Sequence, residues 1–123
     1  MPVLTFRRTT AHDLGRILAE LHGAAVGNGL SARRTGLDRH EARLALGLLL
    51  SAAEGENVGL LRPSTRVPLA RKEGWTTNVR HTAAIAYTAT GPRIVVVLTF
   101  RPDEVRPAAS RALGGDVNRS LGV

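Results

Sequence analysis

Cysteine is absent from the 123 residues, which removes disulfides, thiolate metal sites and a cysteine nucleophile together and leaves the redox compartment open. Aromatic side chains are almost as scarce. Phe6, Trp75, Tyr87 and Phe100 are the only four, too few for a platform on which nucleic-acid bases could stack. No apolar run approaches the roughly 20 residues needed to cross a bilayer. The N-terminus also lacks the basic-then-apolar order of an export signal, so localisation stays open. Lysine occurs once, as Lys72, beside 16 arginines.

What is present belongs to a folded chain. Hydrophobic residues make up 43% and charged residues 22%, enough apolar surface to offset chain entropy, and the length allows one domain with a modest core. Seventeen basic residues against ten acidic ones give a formal charge of +7. Arginine excess together with abundant Ala, Gly, Leu and Val is what GC-rich coding produces, so the charge does not by itself report a nucleic-acid partner. A small basic nucleic-acid-binding protein, held by phosphate neutralisation, is the alternative reading. The arginines scattered over every predicted element argue against it. A lysine that survives such a bias raises a chemical question, because an ammonium is a compact point charge and a guanidinium is not.

The spacing predicts an α+β chain in the order α-α-β-β-β-α. Thr10 to Asp13 fits a capping box, and Leu14, Ile17, Leu18 and Leu21 follow helical spacing, giving a first helix over Ala11 to Ala25. Gly27-Asn28-Gly29 breaks it, and the segment to Gly36 reads as a polar, arginine-bearing loop. Asp38-x-x-Glu41 starts a second helix, expected to end near Gly55 on a left-handed glycine. The two helices fall within residues 10–55. Three strands fall within residues 66–100: Val67 to Lys72, Arg80 to Thr90 and Arg93 to Phe100, the last two joined as an antiparallel hairpin through Thr90-Gly91-Pro92. Pro107 to Leu121 reads as a weaker closing helix, interrupted by Gly114-Gly115.

That order leaves a difficulty. Ile94-Val95-Val96-Val97-Leu98 is apolar on both faces and belongs inside a layered structure, yet three antiparallel strands leave this strand at an edge. Long apolar edges template aggregation and are normally covered or paired. The expectation is a missing neighbour for Arg93 to Phe100, supplied by a partner chain or by sequence outside these 123 residues.

The segment from Val67 through Lys72-Glu73-Gly74-Trp75 and Arg80-His81 to Phe100 resembles the C-terminal portion of class A β-lactamases and related serine hydrolases. In that family a strand ends in a Lys-Thr/Ser-Gly triplet, a two-strand hairpin follows, and a last helix closes the sheet. Arg8-Thr-Thr-Ala-His-Asp-Leu-Gly-Arg-Ile-Leu18 is similar to the helix after the family's Ω-loop. Val58-Gly-Leu-Leu-Arg62 is similar to the end of the helix before the triplet strand. The likeness runs from about Thr5 to Leu121 and implies one incomplete domain, 1–123, with a partial β-lactamase/transpeptidase-like fold. The implied chemistry is acyl transfer to serine, with hydrolysis of a β-lactam or related amide or ester.

The resemblance implies roles for particular residues. Lys72 matches the triplet lysine that lines the cleft and attracts a carboxylated ligand. Gly74 matches the glycine that lets substrate approach the strand closely. Trp75 stands where a backbone N–H supplies one oxyanion-hole donor. Arg80 or His81 stands where a basic residue helps to bind the substrate carboxylate. Glu73 replaces the triplet hydroxyl with an anion, which opposes a carboxylated ligand unless it turns away or is neutralised. The family's Ser-x-x-Lys nucleophile is missing, because Leu69 lies three residues before the only lysine, and so are the Ser-Asp-Asn loop and the Ω-loop Glu-x-x-Leu-Asn.

The expectation is therefore a chain that lacks the catalytic half and is inactive alone, or a non-catalytic ligand-binding remnant of the same fold. The implied ligand is a β-lactam-like or other carboxylated small molecule. The parent family is usually exported, and neither a cofactor nor a membrane partner is implied. His12, His22 and His40 have no second ligand at metal spacing, so no metal site is expected.

Overall fold

The computed structural model describes residues 8–51 and 67–122. Within them four helices and three strands follow one another as α1 (Ala11–Ala25), α2 (Gly29–Thr35), α3 (Arg39–Ser51), β1 (Leu69–Trp75), β2 (Arg80–Thr88), β3 (Gly91–Val97) and α4 (Pro107–Leu121). This is the expected α+β class. α1 starts where the Thr10 hydroxyl accepts from the Asp13 amide at 3.1 Å. α3 starts on a complete capping box. The Asp38 amide donates to Glu41 Oε2 at 2.9 Å, and the Glu41 amide donates to Asp38 Oδ1 at 2.8 Å. The expected helix end at Gly55 and the Val58 to Arg62 segment lie outside the described residues.

The segment expected to be a loop between the first two helices is instead helical, and the order becomes α-α-α-β-β-β-α. The physical reason is a pair of caps. The Asn28 side chain accepts from the Leu30 and Ser31 amides, and Gly36 stops the helix at φ 68°, where glycine adopts a left-handed conformation without a Cβ penalty. Asn28 initiates the helix, and the two glycines beside it only frame that start.

The sheet is antiparallel in the order β1-β2-β3, with Lys72 opposite Ala83, Glu73 opposite Thr82, Gly74 opposite His81 and Trp75 opposite Arg80. β1 continues to Trp75, beyond its expected end at Lys72, because Gly74 stays in the ladder against His81. Side chains alternate across the sheet. One face, carrying Ala70 and Ile85, packs on Leu18, Ala24 and Ala25 of α1 and Ala42 and Leu46 of α3. The other, carrying Leu69, Ala84, Ala86 and Val95, packs on Val117 and Leu121 of α4. Helix α4 runs unbroken through Gly114-Gly115. Its packing on the sheet outweighs the cost of about 1 kcal/mol that each helical glycine carries.

β3 is an edge strand among the described residues. α1 crosses one of its faces so closely that a methyl group on Gly15 would lie 3.6 Å from Ile94 Cγ2. These helices cover the faces of β3 and not its rim, which leaves Ile94 40% and Phe100 70% exposed. At the far end the ladder is continued by a side chain: the Arg80 amide donates to Thr99 Oγ1 at 3.0 Å, and that hydroxyl donates to the Arg80 carbonyl. The turn between β1 and β2 is tied down by Asn78, whose side-chain amide donates to the carbonyls of Arg101, Pro102 and Asp103.

Candidate functional site

The residues singled out in the sequence sit on β1 and at the start of β2, and the period of two sorts them. Ala70, Lys72 and Gly74 share the face that meets α1 and α3. Leu69, Arg71, Glu73 and Trp75 share the opposite one. On β2, His81 lies on the Lys72 face and Arg80 on the other. Lys72, Gly74 and His81 are thereby brought together along one wall of a cleft of about 740 Å³. Its other walls are mostly apolar, from Leu14, Leu18 and Leu21 of α1, Leu49 of α3 and Leu98 beyond β3, with Arg8 and Thr9 ahead of α1.

Glu73 touches the cleft while its side chain is turned to the opposite face. Its carboxylate is 3% exposed, with Oε1 3.4 Å from the Arg71 guanidinium on the same face. The anion that would oppose a carboxylated ligand is turned away from Lys72 and neutralised by arginine. Arg80 is also directed elsewhere, because its guanidinium donates to the carbonyls of Thr76 and Val79 and closes the β1–β2 turn. Of the two basic candidates on β2, His81 is the one that faces the cleft.

The backbone of β1 is sorted in the same way. The Tyr87 amide donates to the Pro68 carbonyl at 3.0 Å and the Thr76 amide to the Val79 carbonyl at 3.2 Å. In an antiparallel ladder bonded pairs alternate, so Ala70, Lys72 and Gly74 direct their main chains at β2 in this register. Glu73 and Trp75 direct theirs at the outer edge. The Lys72 ammonium reaches over that edge and donates to the Glu73 carbonyl at 3.0 Å. The Trp75 N–H is turned outward beside it, and the residue is 58% exposed. Gly74 has ordinary room within the chain, since a methyl group there would lie 3.8 Å from His81 Cβ.

One contact at this cleft is invisible in the sequence. The Thr99 amide donates to His81 Nδ1 at 3.1 Å and fixes the ring at the cleft wall. Thr99 is 18 residues from His81, and only the β2–β3 register brings them together. A second groove, about 720 Å³ between α1 and α2, contains none of the predicted residues. Its principal charges satisfy one another, with Arg34 donating to Glu20 at 2.7 Å. Hydrogen bonds from the Ser31 hydroxyl, and then from Arg34, hold the Glu20 carboxyl below the ordinary carboxylate range.

No curated protein and no solved structure matches the chain. The profile of the beta-lactamase enzyme family matches residues 5–120. That span takes in the cleft wall, the hairpin and the helices on both faces of the sheet, and the chain belongs to the beta-lactamase enzyme family.

Proposed function

We propose that the chain is the C-terminal portion of a class A β-lactamase-like serine hydrolase and supplies the triplet-strand wall of an acyl-transfer cleft. In this reading Lys72 attracts the carboxylate of a β-lactam or related amide or ester, and His81 assists it. Gly74 leaves room for the ligand along β1, and the Trp75 N–H is one oxyanion donor. Such a preorganised donor contributes on the order of 3 kcal/mol of transition-state stabilisation. The observation that supports this best is the convergence of Lys72, Gly74 and His81 on one cleft while the β1 backbone at Trp75 faces outward. The burial of Glu73 on the opposite face supports it as well, because it removes the one charge that conflicts with a carboxylated ligand.

The nucleophile comes from sequence other than these residues, because no Ser-x-x-Lys occurs in them. The neighbour that pairs with the β3 edge is the missing N-terminal half or a partner chain that stands in for it. The 123-residue chain is expected to leave nitrocefin, a chromogenic cephalosporin, unhydrolysed. A longer chain extended upstream through a Ser-x-x-Lys motif is expected to turn it over. In that longer chain Lys72→Met should raise KM for carboxylated substrates by about tenfold or more, the loss of one charge-assisted hydrogen bond. An active longer chain indifferent to Lys72→Met would reject the proposed cleft wall and favour a non-catalytic remnant.

A further inference from the structure

His81 and Thr99 make a contact that the family resemblance does not explain. His81 opens β2 on the cleft face, half-buried, opposite Gly74 and in the same cleft as Lys72 and Arg8. Thr99 is held from two sides. Its hydroxyl accepts from the Arg80 amide and donates to the Arg80 carbonyl, which fixes the residue where the β2–β3 ladder ends. With the residue fixed there, its amide points at the imidazole and donates to Nδ1 at 3.1 Å. A ring nitrogen that accepts an amide hydrogen bond carries no proton. The proton of a neutral imidazole must then sit on Nε2, and the other ring nitrogen is left as a donor.

We propose that Thr99 is a positioning residue for the cleft, its main-chain amide holding His81 as the neutral Nε2–H tautomer. His81 then offers a ligand one directional, uncharged donor, while Lys72 supplies the charge. The strand wall so built suits one carboxylate, held by an ammonium and a neutral N–H, while Arg8 adds its charge from the other side of the cleft. The sequence offered Arg80 or His81 as the basic residue beside Lys72, and Arg80 is engaged with the turn carbonyls. The ligand-facing part of this inference rests on the cleft reading proposed above. The tautomer itself does not.

The test is a two-bond ¹H–¹⁵N correlation spectrum of the full chain, uniformly ¹⁵N-labelled, at neutral pH. His81 is identified among the four histidines by the signals lost in His81→Gln. The expected pattern is that of a neutral ring protonated on Nε2. Thr99→Ser, which keeps both the amide and the hydroxyl, should keep that pattern, whereas Thr99→Pro, which has no amide proton, should lose it. An Nδ1–H pattern, an averaged pattern or an imidazolium in the unaltered chain overturns the inference, whatever the variants do. Millimolar benzylpenicillin is then added as a monoanionic probe, with the expected result a shift of the His81 Nε2 signal that Lys72→Met abolishes. If the Nε2–H pattern stands and benzylpenicillin moves nothing, the cleft reading fails and the positioning role fails with it.

Discussion

Gly23, in the last turn of α1, and Gly47, inside α3, are both helical, and the structure predicts opposite results for the same replacement. At Gly23 the flank of α1 meets Ser31 of α2 so closely that a methyl group would come 2.8 Å from Ser31 Cβ and into contact with its hydroxyl. The hydroxyl can rotate, at the cost of its hydrogen bond to Glu20. The Cβ is fixed to the backbone and cannot. Carbon atoms rest about 3.5–4 Å apart, so α2 would have to retreat by roughly an ångström. Overpacking of this kind costs about 1–3 kcal/mol, against a gain of about 1 kcal/mol in helix propensity for Gly→Ala. Gly23→Ala should therefore lose about 1 kcal/mol. Gly47, in α3, has nothing within 4 Å of the point where an added methyl would stand, so Gly47→Ala should keep the whole propensity gain. The two variants should differ by about 2 kcal/mol with opposite signs, which for a chain of this size is about 5–10 °C in Tm. Thermal melts followed by circular dichroism would read the difference directly. In the double variant Gly23→Ala with Ser31→Gly, most of the loss should disappear. If Gly23→Ala raises Tm as Gly47→Ala does, the close packing of α1 on α2 is wrong.

Glu20 predicts the acid side of the stability profile. Its carboxyl titrates below the unfolded value of about 4.3, so in the window beneath that value the unfolded chain binds the extra proton. Its contribution is complete above the unfolded value and is lost as pH falls through the window. Urea denaturation of Glu20→Gln should show a flatter acid limb than the parent chain. Tyr87, half-buried with its hydroxyl 3.4 Å from His22 Nδ1, has its phenol pushed up by burial. Its contribution is complete below the unfolded value of about 10 and is lost as pH rises past it. An absorbance titration should show the phenol ionising late, and Tyr87→Phe should remove the alkaline loss. Asn78→Ala should cost about 1–2 kcal/mol, because three carbonyls lose their donor. It should also speed hydrogen exchange at the Arg101 amide, which donates to the Asn78 carbonyl.

Several elements are legible because local physics decides them. α1 and α4 have the expected bounds, and the Asp38–Glu41 box starts α3 where its spacing predicts. α2 escapes the sequence pattern because Gly27-Asn28-Gly29 reads as punctuation, although Asn28 and Gly36 are themselves a start and a stop that enclose a helix of seven residues. At the candidate site, the sequence singles out a stretch of chain but not the directions of its side chains. Lys72, Gly74 and His81 can be named as a set only once the β1–β2 register has placed them on one face. The same register sends Glu73 and Arg80 to the other face, which no local pattern in Lys-Glu-Gly-Trp announces. Thr99 lies further out of reach, since it acts through its backbone amide and leaves no side-chain signature.

The alternation along β1 also sets which genetic changes the strand can accept. A base substitution at position 73 alters a residue facing Arg71 and leaves the cleft side untouched. A gain or loss of one codon between Leu69 and Trp75 is a different event. Because the side-chain period is two, it would exchange the faces downstream of the change, bringing the carboxylate to the cleft and the ammonium to the interior. Length in this strand is therefore constrained by the cleft face, and identity at position 73 by the buried pair with Arg71. Descendants of such a gene should keep the number of residues between Leu69 and Trp75 fixed, and should change Glu73 only together with its buried partner Arg71.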